Sequence, residues 1–343
     1  MVARIVGSII AQAGVGTLVR MASRDPLIER IERQAGVPGL LDVLAARLPP
    51  TDLQSLLLEA FRRRAAAVAP ARLLDQYGRD RFVAPAGAAP AAMAELDLLA
   101  FSLLPDGFEA VELSPVCPLG TNSAIATVDQ NKVVTTARNT EVVADATNVL
   151  ALECAVRRRD LLRRDARSAD RVKLAASHRV VRTPPVSGAG AYQHFRLLGL
   201  VTAGRDEGSY RFEVATLLEQ LTFFLALLRD AGRLGLTVAE VRVGVTDLEE
   251  GRRTPALEAE VLAPLAGRFP DARCALDPGR RSGRGYYASA CFGIFAVTPS
   301  GEELNLVDGG FTEWTRTLVG SAKERLLIGG LGTERLLGAF AAR

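Results

Sequence analysis

Apolar residues in the first part of the chain recur every three or four positions. Leu27, Ile28 and Ile31 form one group, residues 40–48 a second, and Leu53, Leu56, Leu57, Leu58 and Phe61 a third behind a candidate helix cap at Thr51. This spacing predicts a small helical region over 25–82. Residues 83–90 are rich in Ala, Pro and Gly and carry no periodic face, so a linker is expected over 83–91. After a predicted helix at 91–103 the pattern becomes mixed. Runs at 128–137, 172–182, 195–202, 238–245, 286–297 and 304–307 read as strands, and helical patterns occupy 148–164 and 211–231. Several strands follow one another with no helix between them. That order predicts an α+β fold over 92–343, an antiparallel β-sheet flanked by helices, and argues against a doubly wound parallel sheet.

Residues 1–24 read as an N-terminal extension. The apolar stretch 5–19 is interrupted by Gln12 and by Gly7, Gly14 and Gly16, has no clear small-x-small cleavage site after it, and is too short to cross a bilayer. Neither a secretory signal nor a membrane anchor is expected, and Met21 offers an alternative start. Cys117, Cys154, Cys274 and Cys291 lie far apart with no C-x-x-C pair, which favours reduced thiols over a disulfide framework or a zinc site. A soluble, cytoplasmic protein with no membrane partner is the expectation.

The 343 residues carry 42 basic and 39 acidic side chains, a net charge of +3, so no overall field demands nucleic acid. The densest basic run, Arg157, Arg158, Arg159, Arg163, Arg164 and Arg167, is interrupted by Asp160 and Asp165 and followed by Asp170, and reads as a solvated helix end. The P-loop, dinucleotide-fold, nucleophile-elbow and H-E-x-x-H signatures are all missing. With only His178 and His194, a histidine metal site or a triad has little to work with, and no metal ligand is assigned.

An ordered series of segments remains. It comprises Asp106-Gly107-Phe108-Glu109-Ala110-Val111-Glu112-Leu113-Ser114-Pro115; Val143-Ala144-Asp145-Ala146-Thr147; and His178-Arg179-Val180-Val181-Arg182, a Gly/Ser/Pro loop to Tyr192, and Gln193-His194-Phe195. Tyr286-Tyr287-Ala288-Ser289-Ala290-Cys291-Phe292 and Gly329-Gly330-Leu331-Gly332-Thr333-Glu334-Arg335-Leu336-Leu337 complete it. In order and spacing, over about two thirds of the chain, the series resembles the catalytic domain of a class II aminoacyl-tRNA synthetase of the histidyl type.

The resemblance implies a role for each segment. The first would be a helix entering a strand that ends in Pro and builds a homodimer interface. Asp145 and Thr147 would hold a substrate amino group, and Tyr286 and Tyr287 would line the amino-acid pocket from a strand. Arg182 would bind the ATP α-phosphate; its planar fork suits phosphate and carboxylate oxygens together. Gly330 and Gly332 would let the nucleotide approach the backbone, and Arg335 would meet its γ-phosphate. ATP and Mg²⁺ are the implied cofactors.

Departures from the family pattern are equally plain. The acid expected two positions after Arg182 is Pro184, the family's G-G-R-Y-D is Gly309-Gly310-Phe311-Thr312-Glu313, and the acid before the tyrosines is Gly285, in a loop that also carries Arg280, Arg281 and Arg284. The chain also ends a few residues after the third motif's helix, which leaves no room for an anticodon-binding domain, and tRNA charging is not expected. Two readings follow. One is an adenylate-forming ligase for an amino acid or similar carboxylate, passing the acyl group to an acceptor other than tRNA. The alternative is a non-catalytic paralogue resembling the regulatory subunit of ATP phosphoribosyltransferase, sensing a small molecule and needing a partner enzyme. A nucleic-acid-binding relative ranks third.

Overall fold

The computed structural model describes residues 25–80, 82–126, 128–183 and 193–341. The expected extension at 1–24, and the loop 184–192 with Pro184, lie outside the described residues.

The chain divides into two compact units between Ala67 and Val68, ahead of the Ala/Pro/Gly segment expected to be a linker. The first unit is helical. Helix α1 (Pro26–Ala35) starts with Pro at its first position behind the Asp25 cap, whose side chain accepts from the Leu27 amide at 2.9 Å, and it stops at Gly36 with φ 66°. Glu32 on α1 accepts from the amides of Gly39 and Leu41 and so caps α2 (Leu40–Asp42) from outside. Helix α3 (Pro50–Ala66) begins at Pro50, so Thr51 lies inside it and is not the expected cap; proline with its missing N–H takes the first helical position instead.

The second unit opens with α4 (Pro70–Tyr77) and α5 (Pro90–Ser102). Then come β1 (Phe108–Ala110), β2 (Val116–Pro118), β3 (Thr140–Val142), α6 (Ala146–Arg164), β4 (Val172–Val181), β5 (His194–Arg205) and α7 (Arg211–Asp230). After them follow β6 (Ala239–Asp247), α8 (Thr254–Leu257), α9 (Ala263–Arg268), β7 (Arg273–Leu276), β8 (Ala288–Val297), β9 (Glu303–Thr312), α10 (Trp314–Val319), β10 (Glu324–Gly332) and α11 (Thr333–Phe340). Eight strands form one sheet in the order β1-β4-β5-β10-β9-β8-β6-β7, and β2 pairs with β3 separately. All pairs in the large sheet are antiparallel except the two edge pairs, β1 with β4 and β6 with β7. The last strand in the chain, β10, lies in the middle of the sheet.

Strand alternation explains how both faces are covered. On β5 and β10, Leu198, Leu200, Leu327 and Leu331 pack with Leu217, Leu221 and Phe224 of α7 on one face. The intervening Val201, Ala203, Leu326 and Ile328 pack with Leu150, Ala151 and Cys154 of α6 and with Trp314 on the other. The sheet flanked by helices is therefore the predicted α+β architecture.

Three local expectations change. Residues 128–137 are not a strand: they hold a short 3₁₀ turn at Gln130–Lys132 and a single bridge from Thr135 to Glu141. Asp129 accepts from the Asn131 amide at 3.0 Å, a local bond that competes with a ladder. The first motif's helix ends at Ser102, and Gly107, with φ 80°, turns the chain into a strand of only three residues. The basic run is no solvated helix end throughout, because Arg158 is fully buried.

Candidate functional site

A cavity of about 640 Å³ opens at the N-terminus of α6, against the face of the sheet that α6 covers. Asp145, Thr147, Arg182, Tyr286, Tyr287, Gly330, Gly332 and Arg335, the residues singled out in the sequence, all line it. They come from four separated stretches of chain, so the sheet brings them together.

Asp145 is the N-cap of α6. Its Oδ1 accepts from the Thr147 amide at 2.9 Å and the Thr147 hydroxyl at 2.8 Å, and its Oδ2 accepts from Arg182 Nη2 at 3.2 Å. Arg182 follows the last residue of β4. Its Nε donates to the Ala144 carbonyl at 3.2 Å, and its guanidinium lies 5.0 Å from the centre of the Phe195 ring. With 43% of its side chain exposed, the group is held by weak contacts and faces open space.

Tyr286 and Tyr287 precede β8 in a turn and are not on a strand as expected: both amides donate to the Gly283 carbonyl, at 3.1 and 2.9 Å. Gly283 has φ 78°, and a Cβ there would lie 2.7 Å from the Tyr287 ring, so this position requires glycine. The two rings meet edge to face at 4.9 Å, and Tyr286 packs in the same way on Trp314. Burial pushes both phenol pKa values far up, assisted by Asp308 at Tyr287 and Asp145 at Tyr286, so both remain protonated donors.

Also lining the cavity, Arg335 in the first turn of α11 donates from Nη1 to the Asn305 carbonyl at 2.9 Å, while its Nε is buried without a partner. Its neighbour Glu334 is buried and pairs with Arg179. The glycines beside it differ in what they need. A Cβ on Gly309 would press into Phe292 and the Ile328 carbonyl, so internal packing demands glycine there. On Gly330 the nearest atoms would be those of Leu197 at 3.2 Å and beyond, and on Gly332 the Arg335 Cβ at 3.7 Å. Those two positions border the cavity itself.

Several lining residues were missed in the sequence: Asn122, Lys132, Asn148, Asn305 and Asp308. Asn148 could have been found, three positions after Asp145 on one helix face. Behind the wall lies Glu141, fully buried, which accepts from the amides of Gly120 and Asn122 and from the side chains of Asn122 and Gln130. Burial alone would raise its pKa, but these donors outweigh it and hold the carboxyl below the usual range. Asn122 in turn accepts from Asn148 Nδ2 at 2.7 Å. Among the described residues no group of acids, cysteines and histidines could hold a metal ion, and no helix is long and apolar enough to cross a membrane.

No family model matches the chain, and no curated protein matches it by sequence. Solved structures do match in shape. Apo histidyl-tRNA synthetase of S. aureus superposes with a TM-score of 0.52 at 15% identity, over 72% of this chain and 64% of that one, so the chain spans less than two thirds of that enzyme. An ATP phosphoribosyltransferase regulatory subunit/histidyl-tRNA synthetase from Bacillus halodurans gives 0.55 at 13% identity, over 77% of this chain and 83% of that one. The RNA binding domain of threonyl-tRNA synthetase from Cryptosporidium parvum gives 0.51 at 10% identity, over 73% and 62%. At these identities the likeness establishes a class II synthetase-like fold.

Proposed function

We propose that this class II synthetase-like chain binds ATP and activates the carboxylate of an amino acid or a similar small acid as its adenylate, without charging tRNA. One observation carries the reading. Arg182 and Arg335, more than a hundred and fifty residues apart, line one cavity together with Gly330 and Gly332, which put bare backbone on its floor beside Leu197.

In the proposed reaction a carboxylate oxygen attacks the α-phosphorus, the bond from that phosphorus to the pyrophosphate oxygen breaks, and the acyl adenylate and pyrophosphate are formed with no net proton transfer. The protein's part is to position and to stabilise charge, and no side-chain nucleophile is required. Arg182 leaves a 3.2 Å contact with Asp145 to meet the α-phosphate and the incoming carboxylate. Arg335, with Nε unpaired, holds the far phosphates. Asp145, released from Arg182, and Thr147 face the substrate's polar end. Mg²⁺ bound with the nucleotide would supply charge neutralisation on the phosphates; among the described residues no cluster of acids, cysteines and histidines offers it a cage.

The test is ATP–pyrophosphate exchange with Mg²⁺ across amino acids and small carboxylic acids. Exchange dependent on one compound is the expected result. The second reading is a regulatory paralogue that senses a small molecule and acts on a partner enzyme. The engagement of Arg182 with Asp145 and Ala144 favours it, because a sensor has no need to free that arginine. Small-molecule binding without exchange would decide for the sensor.

A further inference from the structure

The strand register sets Asp308 between two glycines. Its partner on β8 is Gly293 and its partner on β10 is Gly330, so neither lateral neighbour puts a side chain beside the carboxylate. The two flanks are used differently. The space over Gly293 is filled: a Cβ there would meet the Phe295 ring at 2.9 Å and the Arg280 guanidinium at 3.2 Å. Arg280 has 6% of its side chain exposed and donates to Asp308 Oδ1, while the Tyr287 hydroxyl donates to Oδ2 at 2.9 Å. The position over Gly330 is bordered by the Leu197 side chain and opens on the cavity that Asp308 and Gly330 both line.

The carboxylate is also held still. Arg280 Nε donates to the Ser282 carbonyl at 3.0 Å, Arg284 Nε donates to the Arg280 carbonyl at 3.0 Å, and Gly283 packs under the Tyr287 ring. Burial works against the Arg280 charge, but Asp308 together with Cys291 and Tyr287 outweighs it and lifts the guanidinium pKa. An ionised carboxylate accepts about four hydrogen bonds. Arg280 and Tyr287 supply two, and 45% of the Asp308 side chain remains exposed. A fixed acceptor with unused lone pairs attracts donors and repels other oxygens that only accept.

We infer that Asp308 is a specificity residue: it accepts a hydrogen bond from an N–H group, amine or amide, on the acyl part of the substrate seated over Gly330, and it disfavours a carbonyl or carboxylate there. The inference rests on the adenylate reading of the cavity. It adds a selection by Asp308, with Arg280 and Tyr287 as its positioning residues.

The experiment is calorimetric binding of N-acylsulfamoyl adenosines, mimics in which a sulfamate replaces the phosphate. Twins differ by one group, amine against methyl: alanyl with isobutyryl, and diaminobutyryl with norvalyl. In at least one pair the amine twin binds wild-type protein about tenfold to a hundredfold more tightly, the span of a hydrogen bond to a charged group. Asp308→Asn closes that gap by about tenfold. Should Asp308→Asn fail to fold, the double variant Asp308→Ala/Arg280→Met, which removes both charges together, closes it in the same way. Equal binding of the twins in both pairs, or a gap that the variants leave unchanged, overturns the inference and leaves the adenylate reading standing, because the mimics have bound. If no mimic binds, the adenylate reading falls and takes this inference with it.

Discussion

Arg158 and Glu324 form a two-pronged ion pair with neither side chain exposed to solvent: Nε to Oε2 and Nη2 to Oε1, both 2.8 Å. Two further guanidinium protons go to the carbonyls of Asp170 and Ser168. The pair ties the middle of α6 to the first residue of β10. Removing one partner strands the other charge in the core, so Arg158→Met or Glu324→Gln should each cost about 3–5 kcal/mol in urea unfolding. Replacing both by apolar residues, Arg158→Met with Glu324→Leu, should recover most of that loss. A double variant no more stable than the singles would show that the pair gives more than mutual neutralisation.

The Glu141 carboxyl supplies a pH signature. Its pKa is lowered in the folded protein, so its contribution is fully present above the unfolded value of about 4.3 and is lost as pH falls through the folded value. Unfolding midpoints measured from pH 7 down to pH 3 should drop below about pH 4.5. Glu141→Gln should lower stability at neutral pH and flatten the acid limb; an unaltered acid limb would assign it to other carboxyls.

On the adenylate reading, Arg335→Ala should abolish measurable ATP binding while the melting temperature moves little, since the guanidinium borders the cavity and makes one hydrogen bond, to a backbone carbonyl. Arg182→Ala should reduce exchange by about a hundredfold or more through lost charge stabilisation. Unchanged nucleotide affinity in Arg335→Ala would remove the support for its phosphate role.

Two glycines one strand apart should respond oppositely to the same methyl group. Gly309→Ala forces Phe292 and the β10 backbone apart and should destabilise by about 1–3 kcal/mol. Gly330→Ala places its methyl 3.2 Å from the end of the Leu197 side chain, which must give by a few tenths of an ångström, so it should destabilise far less than Gly309→Ala yet lower ATP affinity. Thermal melts and ATP titrations of the two variants separate packing from binding.

What was legible in the sequence was whatever local spacing or short segments encode. Helices α6 and α7 and strands β4 and β5 follow from apolar periodicity, and the site segments are contiguous enough to be recognised one at a time. The strand expected at 128–137 failed because the Asp129 carboxylate accepts from the Asn131 amide two residues on, a choice that β propensity does not register. Asp308 escaped because its meaning lies in its two strand neighbours, Gly293 and Gly330, which register alone reveals. Arg158 looked like one of several surface arginines because its partner is far along the chain. Tyr286 and Tyr287 were placed on a strand because nothing in their own identity shows that Gly283 curls beneath them.

The position of β10 bears on how the molecule comes into being. Without residues 324–332, β1-β4-β5 and β9-β8-β6-β7 would be two separate half-sheets, each with a bare inner edge of unpaired amides and carbonyls. Arg158 would likewise lack its counter-charge. The final strand joins both edges, neutralises that arginine and, with Gly330 and Gly332, completes the cavity floor. A chain lacking β10 would thus be sticky at two edges and without a cavity floor, so sealing of the sheet and formation of the cavity depend on one short stretch of chain.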